Sequence, residues 1–126
     1  MAEKKVTKAE DKQIKPIILK DDNNGDIFVL EFDRDTVKFA ETTRGLKPQV
    51  VEGNLGMTEI EDLFFCSFRK HHPKLSKADT DKILYERLGG ITSAMLTRLY
   101  ELFEAPYTTL ISDDTDRKNV TMAVEF

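Results

Sequence analysis

The sequence predicts an α+β fold, mainly α, in which an N-terminal β-hairpin is followed by a small helical bundle. Three observations carry that expectation. Two short runs rich in β-branched, aromatic and aliphatic residues, KPIILK and IFVLEF, flank the turn-forming cluster DDNNGD. Beyond them, apolar residues recur at helical spacing in segments punctuated by Pro73, Gly89-Gly90 and Pro106. The C-terminal NVTMAVEF returns to period two, which fits either an added strand or a disordered tail.

Residues 1–13 are charged and poor in bulky apolar side chains, so they read as a flexible N-terminal arm. Residues 14–112 then form a single α+β domain, and 113–126 a polar linker and C-terminal tail. In the second strand Phe28, Leu30 and Phe32 share one face, while Ile27, Val29 and Glu31 share the other. Asn24-Gly25 supplies the turn, and the pair of strands must pack on helices or gain another strand to be stable.

Asp33 or Asp35 can cap a short helix, TVKFAETTR, which Gly45 ends. LKPQVVEGNLG follows as a connector. Thr58 is then placed as the next cap, with Glu61 reaching back to it. Ile60, Leu63, Phe64, Phe68 and His71 form the stripe of that helix, and Pro73 stops it at His72. Ser76 caps the next helix, with Asp79 in its first turn, Ile83, Leu84 and Leu88 as its narrow apolar face, and Gly89-Gly90 as its stop. The last helix starts at Thr92 or Ser93 and carries Met95, Leu96, Leu99, Leu102 and Phe103. Its wide apolar arc marks it as the expected central helix, ended or kinked at Pro106, with YTTLI as a further short turn.

The totals exclude several function classes. A chain of 126 residues with 40% hydrophobic and 33% charged residues reads as one soluble domain. The net charge of -4, from 23 acids against 19 bases, lacks the concentrated basic footprint of a general nucleic-acid binder. No apolar run approaches the roughly 20 residues of a membrane span, and MAEKKVTKAEDKQ has no apolar core of a secretory signal. The single cysteine, Cys66, forms no internal disulfide, and a reducing cytoplasm is expected.

Chemistry-bearing residues concentrate in FFCSFRKHHPKLS, residues 64–76. His71 and His72 would point roughly 100° apart on a helix and share a metal poorly. Cys66 lacks a base-and-orienter pair, and the glycines form no phosphate-binding loop. RKHHPK reads as a solvated helix end, and carboxylates such as Asp79 and Asp81 suit helix N-termini. No catalytic, cofactor or metal site is expected. What stands out is a surplus of large apolar groups. Phe65, Tyr85 and Tyr100 lie off their helices' main stripes, and either pack in satellite clusters or form a connected partner-binding patch. Val120, Met122 and Val124 line one side of the tail, where a strand would pair with a sheet edge.

The order of a short hairpin, then FFCSFRKHHPKLSKADTDKILYERLGG, then a helix with a proline-tyrosine break resembles the tail assembly chaperones of long-tailed, siphovirus-type bacteriophages or prophages. The resemblance covers about residues 14–112 and rests on texture, with no catalytic signature. It implies a non-enzymatic protein of the host bacterial cytoplasm, absent from the mature virion. Such a chaperone binds the tape measure protein, keeps it soluble, helps recruit tail tube protein and forms a homo-oligomer. A virion structural protein of the head-tail connector or tail completion type is the competing expectation.

Overall fold

The computed structural model describes residues 14–48, 55–108, 110, 121, 122 and 125. It has an antiparallel hairpin, β1 (Ile17–Lys20) and β2 (Ile27–Leu30), followed by helices α1 (Arg34–Arg44), α2 (Met57–Phe68), α3 (Lys77–Lys82) and α4 (Ser93–Thr108). A π-helical turn, Ile83–Arg87, extends α3. The predicted class, α+β and mainly α, is the observed one.

The hairpin register sets Ile17 opposite Leu30, Ile18 opposite Val29, Leu19 opposite Phe28 and Lys20 opposite Ile27. Gly25 sits at φ 78°, a conformation open to glycine without steric cost, and its N–H donates to the Asp21 carbonyl at 2.8 Å. Pleating sends Leu30 inward with no exposure, and Phe32, two residues on, is 6% exposed, whereas Ile27 is 55% exposed. The two-faced reading of the second strand holds.

Asp33 caps α1 through a reciprocal pair: its carboxylate accepts from the Thr36 N–H at 2.8 Å, and its own N–H donates to Thr36 Oγ1 at 2.7 Å. Gly45, left-handed at φ 69°, closes the helix, and Leu46 folds back with its N–H on the Ala40 carbonyl and its side chain buried.

The cap of α2 lies two residues before the predicted one. Gly56 is the N-cap, and Glu59, not Glu61, reaches back to its N–H at 3.0 Å. Glu61 is held elsewhere, by Lys77 at 3.3 Å and the Tyr85 hydroxyl at 2.5 Å. The regular helix also stops at Phe68, before His72. A tightened turn follows, with the Arg69 N–H on the Cys66 carbonyl and the His72 N–H on the Phe68 carbonyl. His71 therefore leaves the apolar stripe and is exposed.

The central helix is α2 and not α4. Residues 62–68 are buried without interruption, because DLFFCSF offers no solvated stripe. This stretch is enclosed by α1, α3, α4 and β2. Phe64 and Phe68 meet edge to face at 4.9 Å. α4 buries Leu99, Leu102 and Phe103 but turns Arg98 and Glu101 to solvent.

Ser76 caps α3 as expected, exchanging hydrogen bonds with Asp79. The π turn then changes the face: the Leu88 N–H reaches back five residues to the Ile83 carbonyl at 2.8 Å. One extra residue in the turn carries Leu88 off the stripe of Ile83 and Leu84, leaving it 37% exposed. Thr92 caps α4 by accepting the Met95 N–H at 3.1 Å. Pro106 does not end that helix. Tyr107 stays helical, with its ring 5.8 Å from Phe103 and its hydroxyl bonded to Glu41 of α1. The anticipated arm, residues 1–13, and the linker lie outside the described residues. So does most of the anticipated C-terminal strand, whose described members Thr121, Met122 and Glu125 are exposed and outside any strand.

Candidate interaction surface

The hairpin is fastened to the helices by polar groups at its tip, its edge and its base. At the tip, Arg87 of the π turn donates to Asp21 at 2.7 Å, Asp26 at 3.0 Å and the Asn24 side-chain oxygen at 3.3 Å. Its guanidinium also lies 5.4 Å from the Phe28 ring centre. At the edge, the Glu31 N–H donates to the Ser67 carbonyl at 2.8 Å, supplying a partner to an α2 carbonyl near the helix end. The Val29 N–H donates to His72 Nε2 at 2.9 Å. At the base, Arg98 of α4 donates to the Lys15 carbonyl at 3.3 Å.

Glu31 gathers the remaining charge at this edge. His71 Nε2 lies 2.8 Å and Lys70 Nζ 3.3 Å from its carboxylate. Burial works against the charged form, but hydrogen bonds from His71 and Lys70 outweigh it and hold the carboxyl below its ordinary range. The two histidines thus serve different partners on one strand, one a side chain and one a backbone N–H.

With its inner face on the core and its β2 edge closed by α2, the hairpin leaves its outer face to solvent. There Ile18 is 48% exposed and Ile27 55%, with Val29 partly covered beside them. These are large apolar groups on a fixed scaffold.

The residues anticipated as docking groups fall into three sets. Phe65 is corrected: it is 7% exposed, packs edge to face on Phe39 at 6.2 Å and carries Arg44 over its ring at 5.0 Å. Of its two expected roles, satellite packing is the one the structure shows, because α1 covers that side of α2. Tyr100 is partly buried and packed against the core. Tyr85 is exposed at 51%, tethered through its hydroxyl to Glu61, and Met122 is exposed at 80%. Val120 and Val124 lie outside the described residues. Ile18 and Ile27 went unselected, although the alternation IFVL already set Ile27 opposite the Phe28 and Leu30 face.

The remaining reactive side chains are used structurally. Cys66 is fully buried, and burial, reinforced by the nearby Asp62 charge, pushes its thiol up to about 12. Burial likewise raises the Asp62 carboxyl, against the pull of Arg44 at 3.6 Å. Among the described residues no three His, Cys, Asp or Glu side chains converge as metal ligands, and no helix is long and apolar enough to cross a membrane.

A family model described as "Domain of unknown function (DUF5055)" matches residues 1–126, so the chain belongs to that family. No curated protein and no solved structure matches it.

Proposed function

We propose that this member of the DUF5055 family is a phage tail assembly chaperone, working as a homo-oligomer in the host bacterial cytoplasm and absent from the mature virion. It binds the tape measure protein, keeps that long helical client soluble and helps recruit tail tube subunits. The observation that carries this reading is the outer face of the hairpin, where Ile18 and Ile27 stand in water on a clasped scaffold. It joins the resemblance of residues 14–112 to such chaperones. An amphipathic client helix needs apolar ground of this kind, and an oligomer presents it repeatedly along the client. No catalytic step is part of the proposal.

Co-expression with the tape measure protein tests it. The client is expected in the soluble fraction and in the pull-down. The double variant Ile18→Asp/Ile27→Asp is expected to keep its circular dichroism spectrum and lose the client. A tape measure protein that stays insoluble, with nothing co-purifying, ends the proposal. Mass spectrometry of purified virions separates it from a structural subunit, because stoichiometric presence in the particle defeats the chaperone role.

A further inference from the structure

The edge of β2 is closed in two unlike ways. Glu31 is held by a peptide carbonyl, an acceptor at every pH, whereas Val29 is held by an imidazole nitrogen. A histidine ring accepts a hydrogen bond only when neutral. The Val29 N–H pointing at Nε2 places the ring proton of His72 on Nδ1. The ring cannot turn away cheaply, since it lies edge to face against Phe28 at 5.4 Å and Phe68 at 6.1 Å.

We propose that His72 is a proton-operated latch on the hairpin: neutral, it accepts the Val29 N–H and seals the β2 edge; protonated, it turns that acceptor into a donor and releases the edge beside the Ile18–Ile27 face.

The surroundings favour the neutral ring. Lys70 and His71 stand next in the chain, and Arg87 lies over the Phe28 ring that His72 also touches. Glu31, the carboxylate one residue past β2, is already bound by His71 and Lys70. Burial first, and the charge of His71 second, hold the His72 pKa below the ordinary histidine value. The unfolded chain takes up this proton near about pH 6.5. Between that pH and the lower folded pKa the unfolded state binds more protons, so stability falls as the pH drops through that window. Above about pH 6.5 both states are neutral and the latch is fully closed. Glu31, held below its ordinary range, stays ionised through this window, where the folded His72 ring is still neutral; the Val29 bond itself is lost only as the pH falls through the lowered His72 pKa.

Heteronuclear NMR of the whole chain tests the latch. At about pH 7.5 the His72 ring is expected as the Nδ1–H tautomer, and on acidification through the lowered His72 pKa the intrinsic-rate-corrected protection of the Val29 amide is expected to fall roughly tenfold, the scale of one hydrogen bond. The Glu31 amide, bonded to the Ser67 carbonyl, is the internal control and is expected to change far less. His72→Gln supplies an acceptor that does not titrate, and is expected to abolish the pH dependence at Val29. A ring carrying its proton on Nε2 at neutral pH overturns the proposal, as does a Val29 amide whose protection follows that of Glu31. Both decisive readings come from the unsubstituted protein and stand whether or not the variant folds.

Discussion

The hairpin and α2 are neighbours that are held in opposite ways. Residues 62–68 of α2 are buried without interruption, mostly in apolar packing, with Leu63, Phe64, Cys66 and Phe68 at no exposure. The hairpin has one apolar face on the core and owes its orientation to Arg87 at the tip, Ser67 and His72 at the edge and Arg98 at the base. Apolar packing of the first kind involves no titrating group, although α2 also buries Asp62 beside Arg44. Clasps of the second kind are local, and those made by Arg87 and His72 respond to salt and pH respectively. The Ile18–Ile27 face is therefore carried on an element that can adjust without cost to the core.

The largest expected effect breaks the first side of the comparison. Phe64→Ala removes a ring that is fully buried and edge to face with Phe68, and the loss is expected near 4 kcal/mol, read as a lower urea midpoint. That loss is expected to be equal at neutral and mildly acid pH. A strong pH dependence of the difference would mean that α2 and the edge clasp are one cooperative unit.

Phe28→Ala probes the joint between the two regions. This ring is partly buried and touches both clasps, with Arg87 over it, His72 beside it and Phe68 at 5.7 Å. The expected loss is about 2 kcal/mol. Alongside it, amide exchange at Val29 should quicken more than in the α2 interior. Equal acceleration in both places would deny the hairpin its separate local stability.

What the sequence disclosed divides along the same line. Ser76 was legible as a cap, and Asp33 and Thr92 each as one of two candidates, because a cap is settled within four residues; Gly25 and Gly45 were legible as turn and stop for the same reason. The cap of α2 was misplaced because Thr58 with Glu61 fits the pattern as well as Gly56 with Glu59 does. What decided between them was Glu61's engagement by Lys77 and Tyr85, 16 and 24 residues away. A helix wheel leaves Phe65 open between satellite packing and a partner patch, and only the packing of α1 decides for the first. Leu88 was displaced by a π turn, which carries no sequence pattern of its own. The His72 bond to Val29 spans 43 residues and could not be seen in a stretch read locally as a solvated helix end.

The smallest expected effect concerns the tip, and it separates electrostatic from apolar attachment most cleanly. Arg87→Gln keeps a polar side chain while removing the charge that faces Asp21 and Asp26. The pair is open to water, so the fall in denaturation midpoint should be smaller than for Phe28→Ala and should largely vanish near about 1 M salt. The sharper readout is the carboxylate itself. The hydrogen bond from Arg87 is the largest influence holding the Asp21 carboxyl below its ordinary range, with the Asn23 N–H second. Because that pKa is depressed in the fold, the tip clasp is complete at neutral pH and fails only as the pH drops through the lowered value. In the variant, Asp21 is expected to titrate at higher pH, shown by its side-chain carbonyl shift. If Asp21 titrates at the same pH in both proteins, the tip is held by its turn geometry alone, and the hairpin's polar attachment reduces to the edge and the base.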